Sequence, residues 1–176
     1  MLTSEKAPAH SGFTLIEMLV VVAVIAIITA ITVPGLLRAR LSGNEASAIG
    51  SVRTMSSAQT TFSASCGGGG FGGTLPALAT APAGGVPFIP PDLGSGRKSG
   101  YTFTNAGSGA NVLARGSTCN NVAASRAAYL ATGNPTTDGQ TGVRAFGVNE
   151  TGVVRWTGAA RGITTAAHYN ASQPLQ

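Results

Sequence analysis

Residues 13–37 form a run of 25 positions in which Glu17 is the only ionisable side chain. Met18 to Ile28 is unbroken apolar sequence, and Thr29 and Thr32 are the only interruptions before Pro34. Such a segment must be covered on every side, by protein or by lipid. As a helix, residues 13–33 would extend about 32 Å at 1.5 Å per residue, against about 30 Å for the hydrocarbon core of a bilayer. Many of its residues are β-branched, which slightly disfavours helix in water. In hydrocarbon the backbone must satisfy its own hydrogen bonds, so helix is the expected form.

The remainder divides at Cys66. Residues 1–66 hold four of the 25 glycines and two of the nine prolines, so a long helix is permitted there, whereas residues 67–176 must be turns, short strands and irregular loops. Charged residues are only 10% of the chain while apolar ones are 43%, which excludes a disordered polyelectrolyte. Glycine has no period of three, so there is no collagen repeat. Two cysteines and two histidines exclude a disulfide-rich miniprotein and a four-ligand zinc finger. The formal net charge of +5 is modest and spread along the chain, a weak argument for a nucleic-acid partner.

Three readings compete for the apolar run. A secretory signal peptide has a shorter apolar stretch, a basic start and a small-residue cleavage site. Here the run is too long, Lys6 is the only preceding Lys or Arg, and Ile28-Thr29-Ala30 is a poor site. An ordinary membrane anchor fits the length but explains neither Glu17 nor the border before it. That border reads His10-Ser11-Gly12-Phe13-Thr14-Leu15-Ile16-Glu17-Met18-Leu19-Val20. It closely resembles the signature of type IV pilins and pseudopilins, in which a short leader ends in Gly before Phe-Thr-Leu-Ile-Glu and a long apolar run. The resemblance covers roughly residues 8–40, and Pro34 falls where many such proteins carry a helix-weakening proline. The leader, with Lys6 offset by Glu5, is less basic than many.

The resemblance implies a leader over residues 1–12, cleavage between Gly12 and Phe13 by a prepilin peptidase, N-methylation of Phe13, and a mature chain of residues 13–176. It implies a single pass through the inner membrane with a periplasmic C-terminal domain. It further implies a pilus or secretion assembly platform as partner, and copies of the chain joined in a helical filament through residues 13–37. Phe13 and Glu17 are then the assembly residues. A carboxylate inside a membrane helix costs about 2.5–3.5 kcal/mol on insertion scales, so one found there is a functional candidate. In the family it serves the amino group of a neighbouring subunit; a buried charge pair adds little net stability but strongly penalises a wrong register. The alternative for Glu17 is a hydrated or protonated side chain near the headgroups. Lys6 before the span and Arg38 and Arg40 after it, counted alone, favour the opposite orientation; the cleavage border and the cysteines outweigh them.

Past Leu37 the helical pattern continues. Leu37, Leu41, Ala48, Val52, Met55 and Phe62 fall within an arc of roughly 80° on a helical wheel, with Asn44 and Gln59 interrupting the stripe. One helix is expected over residues 13–65, with an amphipathic half over residues 38–66. Pro34 and Gly35 are expected to kink or locally melt it, and Gly67 to stop it. Residues 67–99 read as a long connecting loop. Strands are expected at residues 101–104, weakly at 127–131, and as a hairpin of 143–148 with 153–157. Phe103, Tyr129, Phe146, Val148, Val154 and Trp156 are the candidate packing residues. The expected class is α+β: a long N-terminal helix, transmembrane in its first half, packed through its second on an antiparallel sheet of three or four strands within residues 67–176. On the extracytoplasmic side, Cys66 and Cys119 are expected to pair.

Signals for catalysis are lacking. The acidic residues do not group into a carboxylate pair or a calcium loop, so no metal and no cofactor is expected. His168 reads as solvated, and His10 leaves with the leader. The glycine run at 67–73 lacks the Gly-Lys-Ser/Thr ending of a phosphate loop. Asn149-Glu150-Thr151 matches a glycosylation sequon but serves better as a turn. Arg97, Lys98, Arg115 and Arg126 lack the interleaved aromatics of a nucleic-acid site. A non-enzymatic pilus subunit is the leading expectation. A type II secretion pseudopilin and a membrane-anchored binding domain that never polymerises are the alternatives.

Overall fold

The computed structural model describes residues 12–175, so the remainder of the expected leader lies outside the described residues. The described chain divides into two units, one ending at Arg38 and one beginning at Ala39. Helix α1 (Leu15–Ser65) supplies the regular structure of the first unit and the opening element of the second.

In the first unit the apolar side chains are exposed all round, from Leu15 to Leu37. The hydroxyls that interrupt the run are satisfied by the helix itself: Thr29 Oγ1 donates to the carbonyls of Ile25 and Ala26, and Thr32 Oγ1 to that of Ile28, each at 3.0 Å. A hydroxyl back-bonded in this way can enter hydrocarbon without an orphaned donor. The helix continues through Pro34 and Gly35, so local melting is absent there. It also begins two residues later than expected, because Thr14 acts as its N-cap.

In the second unit α1 ends where the glycines begin. The N–H groups of Cys66 and Gly67 both donate to Phe62 O, Gly69 N–H donates to Ser63 O, and Gly68 takes the left-handed φ of 60°. After it come β1 (Phe71–Gly72), α2 (Leu75–Ala79), α3 (Pro91–Gly94), β2 (Arg97–Lys98), β3 (Tyr101–Leu113), β4 (Ser125–Pro135), β5 (Arg144–Asn149), β6 (Arg155–Gly158), α4 (Ala166–Asn170) and β7 (Gln173–Pro174). The strands form one seven-stranded sheet in the order β2-β3-β4-β5-β6-β7, with β1 beside β4, and every pair is antiparallel.

The α+β class stands, but the sheet has more strands than the three or four expected. The 67–99 segment is not a plain loop: it holds β1, α2, α3 and β2. Two-residue strands have no periodicity to read. The start of α2 rests on local chemistry instead, with Thr74 Oγ1 accepting from Ala77 N–H and Pro76 in the first turn. Strand β3 outruns its expected four residues because pairing with β4 carries it across Gly107, Ser108, Gly109 and Ala110, a stretch of poor intrinsic β-propensity.

The core lies between the second part of α1 and one face of the sheet. Ala48, Val52, Met55 and Phe62 are buried as the stripe requires, together with Ala58, while Leu41 is half-buried and Leu37 is exposed. They join Phe103, Tyr129, Phe146, Val148 and Val154, all buried, and Trp156, which is half-buried. Leu78, Ile89 and Leu93 from the 67–99 segment complete this core. Successive side chains of a strand alternate between faces. Ala145, the neighbour of Phe146, accordingly belongs to a second small cluster with Ile163 and Tyr169.

Candidate processing and assembly site

The start of α1 is built by a reciprocal pair of side chains. Glu17 N–H donates to Thr14 Oγ1 at 3.3 Å, while Thr14 N–H and Thr14 Oγ1 donate to Glu17 Oε2 at 2.8 and 2.7 Å. This is a capping box, with Thr14 at the N-cap and Glu17 three residues on. It satisfies two backbone donors that a helix start leaves open. It also gives the carboxylate hydrogen-bond donors from its own chain within an apolar stretch, and sets a negative charge against the positive end of the helix dipole. The Thr-x-x-Glu spacing is the sequence signal for the box, and periodicity alone does not reveal it.

Gly12 and Phe13 precede the helix as exposed, non-helical backbone. Phe13 lies one turn before Glu17. With Ile16, Val20 and Val21, the two residues line a shallow, open and almost wholly apolar groove. The remaining sequence-derived residues lie elsewhere. Pro34 and Gly35 are inside α1, and Cys66 and Cys119 are joined as a disulfide with Cα atoms 4.8 Å apart. That bridge ties the end of the helix to the segment after β3. There Asn120 Nδ2 donates to the carbonyls of Ala77 and Thr80 at the end of α2.

Three further polar ties join the helix to the sheet and its β4–β5 link in the second unit, and each uses a residue that sequence reasoning set aside. Asn44 Nδ2 donates to Thr141 O at 3.0 Å. Glu45 is buried; its carboxylate accepts from the N–H groups of Val143 and Arg144 and from Arg144 Nε, with Arg144 Nη2 at 2.7 Å. The same guanidinium lies over the rings of Phe146 and Trp156. Gln59, fully buried, exchanges two hydrogen bonds with the Gly72 backbone, as a neighbouring strand would. Its Nε2 also meets Asn105 Oδ1, and Asn105 Nδ2 donates to Gly72 O.

The other candidates are dispersed. His168 Nδ1 sits 3.1 Å from Thr164 Oγ1, and Arg126 bonds Asn111. Lys98 pairs with Asp92 at 2.9 Å. That pairing, helped by the Leu93 N–H, holds the Asp92 carboxyl below its ordinary range. Among the described residues no group of three His, Cys, Asp or Glu side chains is placed to hold a metal.

A capped apolar helix, long and apolar enough to cross a bilayer, thus opens just after an exposed Gly-Phe bond and runs on into an α+β domain. Residues 8–33 match the family model described as the prokaryotic N-terminal methylation motif, so the chain carries the prepilin signature of type IV pilins and pseudopilins. Neither the curated proteins nor the solved structures yield a match.

Proposed function

We propose that the chain is a structural subunit of a type IV pilus-like filament, made as a prepilin and assembled through its apolar helix. The observation that carries this reading is Glu17: one acid, bonded to Thr14, at the head of the otherwise uncharged stretch of residues 13–37, whose side chains are exposed among the described residues. A prepilin peptidase cuts between Gly12 and Phe13 on the cytoplasmic side and methylates Phe13, which turns a peptide nitrogen into a cation one helical turn from Glu17. The subunit waits in the inner membrane with residues 39–176 in the periplasm. Residues 13–37 then exchange lipid for the packed helices of neighbouring subunits, where the cation of one copy and the carboxylate of another set the stagger. Pro34 and Gly35 provide the weak turn at which the helix bends during that transfer. The chain itself catalyses no step in this scheme and carries no cofactor.

Glu17→Ala tests the reading in cells that hold the assembly machinery. The variant is expected to reach the membrane at the wild-type level, since an insertion cost is removed, yet to leave few or no fibres after shearing. Fibres at wild-type yield would count against the register role. A periplasmic pseudopilus of a type II secretion system would rest on the same residues. Loss of secretion without surface fibres, on deletion of the gene, distinguishes it.

A further inference from the structure

Copies of this chain that meet in a filament, as the reading above requires, face a charge problem. Lys6 and Glu5 cancel, so removing the leader leaves the net charge at +5. In the second unit Arg40, Arg53, Arg97, Arg115 and Arg161 are exposed, and among the described residues none has a carboxylate within ion-pair distance. Two of this unit's acids, Asp92 and Glu45, are taken by Lys98 and Arg144, which leaves Asp138 and Glu150 unpaired among the described residues. Like charges set against one another at an interface cost several kcal/mol. Closely packed copies therefore need their few unpaired carboxylates at the contacts.

Glu150 has a prepared setting. It occupies the turn between β5 and β6, whose shape is fixed locally: Asn149 Oδ1 accepts from Thr151 N–H at 3.1 Å and from the Thr151 hydroxyl, and Gly152 N–H donates to Asn149 O. Gly152 supplies the φ of 73° that closes the turn. The turn rims a cleft of about 340 Å³ between Ser108 and Leu130 on the sheet and Tyr169 and Asn170 on α4, with Tyr129 in its wall. Arg155 stacks on Tyr169 and donates to the carbonyls of Ser172 and Asn170, and among the described residues it forms no ion pair with Glu150.

A carboxylate at the rim of a cleft that mixes the carbon of Ala128, Leu130 and Ala166 with the polar groups of Ser108 and Asn170 suits one side chain. The guanidinium lays its apolar faces on rings and aliphatic carbon, and its edge donates two parallel bonds to a carboxylate. Lysine is not available for the role: after the leader is removed the chain has only Lys98, which Asp92 holds. We propose that this cleft receives an arginine side chain from a second copy of the chain, with Glu150 as its partner.

The test is made in cells producing wild-type filaments. Glu150→Arg should lower the sheared filament yield at least about tenfold, the equivalent of one like-charge clash of modest size. The membrane-held subunit should keep its wild-type amount and urea midpoint. Glu150→Gln should give filaments that no longer loosen with added salt as the wild type does. Asp138→Asn removes the other unpaired carboxylate, which lies outside the cleft, and should leave the yield unchanged. Glu150→Cys combined in turn with Arg40→Cys, Arg53→Cys, Arg97→Cys, Arg115→Cys and Arg161→Cys should give a disulfide-linked dimer for one pairing; exchanging the charges at that pairing should restore assembly. Wild-type yield from Glu150→Arg, or unchanged salt dependence in Glu150→Gln, overturns the proposal and leaves the filament reading standing. If the wild type itself forms no filaments, the filament reading falls; cysteine cross-linking of the full chain in detergent then judges the cleft alone, and the absence of every dimer rejects it.

Discussion

Replacing Gln59 by leucine keeps the side chain's size while deleting its amide. The Gly72 N–H, now 2.7 Å from Gln59 Oε1, would lose its acceptor, and Asn105 Oδ1 would lose the Nε2 donor at 2.9 Å. Gly72 O would keep Asn105 Nδ2. An orphaned buried donor or acceptor costs about 1–3 kcal/mol, so two of them cost about 2–6 kcal/mol. Asn105 is 8% exposed and recovers part of its share from water. The leucine also gains some transfer energy, since it enters a core bounded by Leu78 and Phe62. The net expectation is a loss of about 2–4 kcal/mol. Urea unfolding of the full chain in detergent, followed by Trp156 fluorescence, measures it. The double variant Gln59→Leu with Asn105→Leu should fall short of the summed single losses by about 1 kcal/mol or more, because the two amides share one network. A Gln59→Leu loss below about 1 kcal/mol, or strict additivity, would show that these hydrogen bonds do not hold helix to sheet.

Glu45→Gln keeps an oxygen for the Val143 and Arg144 N–H groups but removes the charge facing Arg144. Since Arg144 is 37% exposed and partly hydrated, the same urea assay should show a loss of only about 1–2 kcal/mol. Reduction of the Cys66–Cys119 bridge, which spans 53 residues, should lower stability by about 4 kcal/mol on the chain-entropy estimate, and a reduced sample with an unchanged midpoint would reject that role. Burial, and secondarily the nearby Glu45 charge, push the Tyr101 phenol above its ordinary value, and burial does the same to Tyr129. A neutral acid whose folded value is raised contributes stability below the unfolded value of about 10 and loses it as the pH climbs beyond. Urea midpoints should therefore fall from pH 10 upward, and less steeply in Tyr101→Phe; a level profile in the wild type would contradict the burial argument.

How far the fold was legible follows from what kind of signal each element carries. The buried face of α1 could be read because Ala48, Val52, Met55 and Phe62 repeat at helical spacing, and Phe103, Phe146 and Val148 because strand alternation exposes one face to the core. Asn44 and Gln59 looked like flaws in the stripe since periodicity scores polarity as error. In the fold they are fasteners, and their partners Thr141 and Asn105 lie far off in sequence. Glu45 was opaque for the same reason: Arg144 is 99 residues away. The strands β1, β2 and β7, of two residues each, exist only through their neighbours and have no local pattern. At the candidate site the opposite holds. Thr14 and Glu17 interact within one turn, so the capping box was fully written in the sequence and was missed by attending to charge alone.

The sharpest measurement is the intact mass and N-terminal sequence of the chain purified from cells that contain a prepilin peptidase. A chain beginning at Phe13 with a methylated amino group, and lacking the twelve residues before it, is the expected result. A chain that keeps Met1 in those cells would mean that the Gly12–Phe13 border is not processed, and the filament mechanism built on Phe13 and Glu17 would have no starting point.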